Sequence, residues 1–258
     1  MSKVSLIDCG NGFWNLRAPF KIKGLINIGT QASLIDKGDG HFIWLDCAPL
    51  NGEAERQVMM LTEGGTKVDA VLNLHPFHTM YCVDFHRRFP NAAFYGSKRH
   101  QRICPDIPWQ PELAEGHAVA QRFDEWLGFS VPHGVDYISS DESVHFSSVL
   151  AYHRASGTVH SDDTLTYLPD RFPISLFPSL KGLAFHMKLP QALQRRAGAV
   201  REFREWVKEL GDRWQDANRI CAAHNGILEL PGQDFEARVL QALDRAEPIL
   251  RAHESEFG

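Results

Sequence analysis

The sequence predicts an α+β protein whose helices pack outside a pair of sheets. Three observations predict it. Strand-like and helix-like segments follow one another as strands, helix, strands, helix, twice over. Two stretches near the C-terminus carry apolar residues at helical spacing. Neither G-x-G-x-x-G nor G-x-x-x-x-G-K-[ST] occurs, which argues against a doubly wound nucleotide-binding fold.

The elements follow in order. Residues 24–30, 32–37 and 41–46 are apolar, β-branched stretches, and Lys37-Gly38-Asp39-Gly40 between the last two is a hairpin turn. A helix over 53–62 stops at Gly64-Gly65. The strand 68–74 (VDAVLNL) is closed by His75-Pro76-Phe77-His78, before a helix over 80–88 and a strand over 92–95. Residues 97–132, with Pro105, Pro108 and Pro111, read as irregular. Strands resume at 135–138, 144–152 and 158–160, the last two joined by the turn 154–157. Leu193, Ala197, Val200, Phe203, Val207, Leu210 and Trp214 form one stripe on a long helix, read as core. A short strand, 219–223, ends at His224, and Phe235, Val239, Ala242, Ala246 and Ile249 mark a last helix capped by Asp234.

The chain has 258 residues, 43% of them hydrophobic and 23% charged, enough for a sizeable core, and is read as one domain over 1–258. A net charge of −5 argues against nucleic acid or an anionic membrane as the main partner. No apolar run approaches a bilayer span and the N-terminus lacks an apolar signal core, so a cytoplasmic protein is expected. The five cysteines include no CxxC pair, which suggests neither a disulfide framework nor a zinc ribbon.

Histidine carries the chemical signal. Thirteen are present, and several fall at strand ends. Asp46 (IWLDCAP), His75 and His78 (NLHPFHTM), His145 (SVHFSS), Asp163 (HSDDTL) and His224 (CAAHNG) each follow a strand or sit on its edge. Rigid strands that present imidazoles and carboxylates at one end can build a metal site with open positions. Singly, each reads more simply as a surface, turn or core residue. Together, and in this order, they read as a site. His41 lies at a hairpin turn; His86 and His100 are expected at the surface, as are His153 and His160, which by alternation could point either way. Cys221 is expected in the core, as is Cys47, with a soft ligand as its alternative.

In four pieces, GTQASLIDKGDGHFIWLDCAP, VLNLHPFHTMYCVDFHRRFPNAAFYGS, VHFSSVLAYHRASGTVHSDDTL and ICAAHNG, the chain resembles the metallo-β-lactamase fold superfamily over about residues 24 to 226. The resemblance implies an αββα four-layer sandwich with metal bound at one edge between the sheets. The family's His-x-His-x-Asp-His motif is incomplete here. Asn73 falls at the first histidine, His75 at the second, Phe77 at the aspartate and His78 at the last. The resemblance then implies His75, His78, His145, Asp163 and His224 as ligands, with Asp163 shared between two half-sites that have each lost a member.

What remains suits one metal rather than two: zinc first, iron or manganese as alternatives. Without the family's aspartate, positioning of the attacking water falls to Asp46, Asp162 or Asp163. The expected function is hydrolysis of a small-molecule ester, lactone or thioester by metal-bound water. A degenerate, non-catalytic binding protein and an iron-dependent oxygenase-type enzyme are the alternatives. The expected partner is a small-molecule substrate, with neither nucleic acid nor membrane, and a homo-oligomer is compatible with the sequence. The Phe- and Pro-rich stretch 171–188 reads either as an apolar lid or as a packed loop or dimer surface.

Overall fold

Alternating and fully apolar strand segments in the first hundred residues pair into a six-stranded sheet. The computed structural model describes residues 3–22, 26–168, 182–224 and 226–258, so most of the 171–188 stretch lies outside the described residues. The chain divides into two compact units, Met1–Gly128 with His153–Ser156, and Phe129–Tyr152 with Gly157–Gly258.

In the first unit the strands are β1 (Ser5–Asp8), β2 (Phe13–Ala18), the short pair β3 (Lys21–Ile22) and β4 (Ile26–Asn27), β5 (Thr30–Asp36), β6 (Phe42–Leu45), β7 (Val68–Leu72) and β8 (Ala93–Tyr95). The main sheet runs β1-β2-β5-β6-β7-β8. It is antiparallel as far as β6 and parallel from β6 to β8. The parallel strands are linked by α1 (Gly52–Leu61) and α2 (Cys82–Arg88), because neighbours that run the same way need a crossover. All four residues of β6 are buried, as expected of a strand covered on both faces. Trp44 on β6 packs edge-on against Phe85 of α2 at 5.2 Å and against Phe89 at 6.0 Å.

The second unit carries the sheet β15-β14-β11-β10-β9, built from β9 (Leu127–Ser130), β10 (Leu150–His153), β11 (Thr158–Ser161), β14 (Arg219–Ala222) and β15 (Gly226–Glu229). A separate hairpin pairs β12 (Leu165–Leu168) with β13 (Gly182–Phe185). Its long helices are α6 (Ala199–Arg213) and α7 (Phe235–Phe257). Val200, Phe203, Val207 and Leu210 of the predicted stripe are buried on α6, each worth about 2 kcal/mol, and Trp206 joins them. Ala197, expected in the stripe, is exposed because it precedes the helix. Arg204 fastens α6 to α7, its guanidinium forked onto Glu247 at 2.8 and 3.1 Å and reaching Glu254 at 3.1 Å. Among the described residues no helix is long and apolar enough to cross a membrane.

The structure departs from the sequence reading in several places. Residues 97–132 contain α3 (Lys98–Ile103) and α4 (His117–Arg122), six-residue helices too short to show periodicity. Helix α3 is started by a capping box in which Ser97 and His100 satisfy each other's backbone N–H. Residues 135–138 make only an isolated bridge, Val135 to Leu193, and the strand expected over 144–152 begins at Leu150. Side chains take over the ladder's role there: Thr164 Oγ1 accepts from Ser148 N at 2.9 Å, and Ser147 Oγ donates to the Asp136 carbonyl. The long helix expected from 193 begins only at Ala199, after Gly198 at φ +83, and a separate short helix, α5 (Leu189–Ala192), lies before it. Asp234 precedes α7 but makes no capping bond; its carboxylate receives Arg238 instead.

Three histidines expected at the surface are buried: His100, His153 and His160. Burial pushes His153 down to about 4 and His100 down to about 3. An unfolded histidine titrates near 6.5, so both rings are neutral in either state above that pH and stability is at its full value there. As pH falls from 6.5 toward 4 the unfolded chain takes up the proton first, and His153 removes up to about 1.4 kcal/mol per pH unit. His100 extends the loss toward pH 3. Urea unfolding across this range should show the slope, and His153→Gln should roughly halve it between pH 6.5 and 4, because His100 contributes over the same window.

Candidate metal centre

In the first unit the candidate residues lie just beyond the carboxyl ends of the parallel strands β6 and β7. Leu45 pairs with Leu72, and Asp46 N continues the ladder to the Leu72 carbonyl at 2.8 Å. Asp46 has φ +58, an uncommon conformation for a residue with a side chain. There its Oδ1 accepts from Leu74 N at 2.7 Å and from His75 N at 3.2 Å. A buried carboxylate thus holds the start of the histidine loop by two charge-assisted bonds. The turn closes through His78 N to the His75 carbonyl at 3.0 Å, which stacks the two imidazoles with centroids 4.0 Å apart and planes 16° from parallel. His75 Nδ1 accepts from Phe77 N at 3.1 Å, so the proton of the neutral ring sits on Nε2.

The two positions where the family's motif is interrupted have other employment. Asn73 donates from Nδ2 to the Tyr95 carbonyl at 3.0 Å, and its Oδ1 accepts from the thiols of Cys47 at 3.1 Å and Cys82 at 3.3 Å. Phe77 lies under the Arg99 guanidinium, 4.4 Å from the ring centroid, and Arg99 also donates to the Pro76 carbonyl. Burial pushes the Cys47 thiol up, so it stays protonated and is a core residue, not a thiolate ligand. Asp46→Ala should cost about 2–4 kcal/mol, since it strands two buried loop amides at a positive-φ position. Faster hydrogen exchange at Leu74 and His75 would locate that loss in the loop.

In the second unit β11 and β14 run parallel with Ser161 opposite Ala222. Two residues further on, Asp163 and His224 meet, with His224 Nε2 2.8 Å from Asp163 Oδ1. Asp163 is 4% exposed and His224 16%. His224 sits at φ +67, so it and Asp46 both hold a strained backbone just past a strand. His160 and Asp162 are buried on the same strand and turn. His145 is partly exposed and bound to its own turn, its Nε2 2.7 Å from the Glu142 carbonyl. A carbonyl can only accept, so Nε2 carries the proton and the neutral ring's lone pair is on Nδ1.

Asp46, His75 and His78 in the first unit, and His160, Asp162 and Asp163 in the second, carry imidazole and carboxylate donors of the kind that hold a metal ion. The structure brings together His75 with His78, and Asp163 with His224, and ties His145 to its own turn. Sequence reasoning set His160 aside. Its signal was the string HSDD directly after a strand, which places one imidazole and two carboxylates within four residues.

This is the metallo-β-lactamase fold. A metallo-β-lactamase from Erythrobacter litoralis matches with a TM-score of 0.63 at 15% identity, over 96% of this chain and 98% of that one. One from Hirschia baltica matches at 0.57 and 11% identity, over 93% and 98%. The enzyme FIM-1 from Pseudomonas aeruginosa, in its mono-zinc form, matches at 0.55 and 13%, over 95% and 96%. No protein-family model matches the sequence, and no curated protein matches it either.

Proposed function

We propose that this protein is a metal-dependent hydrolase that cleaves a small-molecule ester, lactone or thioester. One divalent ion would be held by donors drawn from His75, His78, His145, Asp163 and His224. The observation that carries the reading is the Asp163–His224 pair, 2.8 Å apart at the ends of two parallel strands with His224 in a strained conformation. Strain of this kind costs about 1–3 kcal/mol and collects at functional sites.

The donor chemistry fits one ion of the zinc, iron or manganese type, which accept imidazole and carboxylate together. It does not fit two. Asn73 has both ends of its amide committed, and Phe77 offers no donor. His75 and His145 each have one ring nitrogen engaged by backbone, so uptake exchanges a hydrogen bond or a proton for a metal bond. Uptake should therefore strengthen as pH rises from 6 to 8.

When bound, such an ion polarises a carbonyl and makes its water acidic near pH 7. The chain's own residues supply the rest. Asp46 fixes the histidine loop through Leu74 and His75 N–H. Asp163 Oδ1 and His224 Nε2, 2.8 Å apart, present a carboxylate and an imidazole side by side at the ends of two parallel strands. Zinc FIM-1 supports the reading by analogy of fold alone.

Protein loaded with zinc and then stripped with chelator should be compared on p-nitrophenyl acetate, a γ-lactone and an acyl thioester. Turnover that disappears on stripping and returns with metal supports the proposal. Absence of turnover on all three in metal-loaded protein overturns it. That outcome favours the second reading, a binding protein without catalysis, for which the committed Asn73 and the Phe77–Arg99 stack speak.

A further inference from the structure

The first unit contains a cavity unrelated to the histidine loop. It has a volume of about 240 Å³ and lies at the end of the sheet where the β5–β6 hairpin turns. Asn11, Asp36, Lys37, Glu125, Trp126 and His153 form its wall. The wall is built rather than incidental. Trp126 Nε1 donates to the Lys37 carbonyl at 2.9 Å, and Arg154 N donates to the Trp126 carbonyl at 3.1 Å. The hairpin and the Trp126 segment are thereby tied together.

The charges around the cavity do not balance. Lys37 Nζ, which lies 5.0 Å from the Trp126 ring, is spent on Asp69 at 2.7 Å and Asp39 at 3.3 Å. Arg154 is spent on Asp124 at 2.6 Å. Asp36 accepts one backbone N–H, from Gly38, and has no cationic partner among the described residues. Glu125 likewise makes no ion pair among them. Two carboxylates thus face the cavity without a counter-charge.

A second feature points the same way. His153 is 1% exposed and lines the cavity. Its Nδ1 is 2.8 Å from Ser156 Oγ, and its ring packs on Phe13 at 5.6 Å. Nε2 is the polar atom left over, with no hydrogen-bond partner among the described residues. This nitrogen is not among the fully buried ones, so its face of the ring is open to whatever occupies the cavity. With the proton on Nδ1 and donated to Ser156, the Nε2 lone pair accepts from a ligand N–H.

We propose that this cavity binds a small organic cation bearing a primary ammonium or guanidinium group, with Asp36 and Glu125 as counter-charges and His153 Nε2 as acceptor. The indole of Trp126 supplies an apolar wall against which the ligand's carbon chain lies. An anion is disfavoured, because Lys37, the lysine on the wall among the described residues, is already doubly paired. The site is independent of metal and of hydrolysis.

Calorimetric titration of the full chain with agmatine and with 1,4-diaminobutane tests this, with succinate as control. We expect saturable binding of at least one cation and none of succinate. Glu125→Gln removes an exposed carboxylate that holds nothing else, so the fold is retained, and it should weaken binding about fivefold. Asp36→Asn should weaken it at least about tenfold; because Asp36 also caps Gly38, its unfolding curve must be recorded alongside. Absence of saturable binding by both cations, succinate binding equally well, or affinity unchanged in Glu125→Gln overturns the proposal.

Discussion

Gly134→Ala should cost the second unit about 3 kcal/mol or more, or prevent its folding outright. Gly134 has φ +70, and a Cβ there would lie 1.9 Å from the Ala199 carbonyl oxygen, 2.9 Å from its carbon and 3.1 Å from Phe203 N. These are backbone atoms of the first turns of α6, so no rotamer change relieves the overlap. The same segment is stitched on by Gln194 N to the Gly134 carbonyl at 3.0 Å and by the Val135–Leu193 bridge. Relief must come from moving α6, whose buried stripe of Val200, Phe203, Trp206, Val207 and Leu210 is fixed in the core. Gly38→Ala is the control: it has φ +87 but nothing within 4 Å of the added carbon, and should cost only about 1 kcal/mol. Urea midpoints of the two variants separate backbone strain from overlap.

Asp163→Ala should abolish metal uptake and, with it, hydrolysis, lowering kcat/KM by about 10²–10⁴-fold. Two roles are lost at once. Asp163 is the carboxylate among the proposed ligands, without which the set is all imidazole and binds a hard divalent ion less well. It also faces His224 at 2.8 Å, and its loss leaves that imidazole, 16% exposed, without its carboxylate. Asp163→Asn keeps shape and one acceptor oxygen but no charge. If the carboxylate acts as ligand, Asn should restore the unfolding midpoint without restoring metal; recovery of metal in Asn would assign Asp163 a purely structural role.

The sequence made the fold legible where periodicity or turn chemistry was strong. The Lys37-Gly38-Asp39-Gly40 turn, the buried run Phe42 to Leu45 and the stripe on α6 appear where expected. The N-terminal strands β1 and β2 escaped notice because polar residues interrupt them. Asn15, for example, is buried in β2, where its amide bonds Gln31 Oε1 and Ser33 Oγ at 3.0 Å each. Helices α3 and α4 were hidden by brevity. The residues expected to carry chemistry were legible as strand-end His and Asp, but their individual tasks were not. Asp46 was expected beside a water, and spacing gave no sign that its carboxylate also holds the histidine loop. His100 and His153 looked like surface residues because burial of a lone polar side chain depends on partners distant in sequence or on a cavity, neither of which spacing reveals.

Elemental analysis of protein purified without chelator asks whether the chain binds one divalent ion, as proposed. About one equivalent of metal per chain is expected, zinc first, rising on reconstitution no further than that. Iron in near-stoichiometric amount would keep the site but move its chemistry toward oxygen. Protein that holds no metal after reconstitution with zinc, iron and manganese in turn would rule the metal centre out.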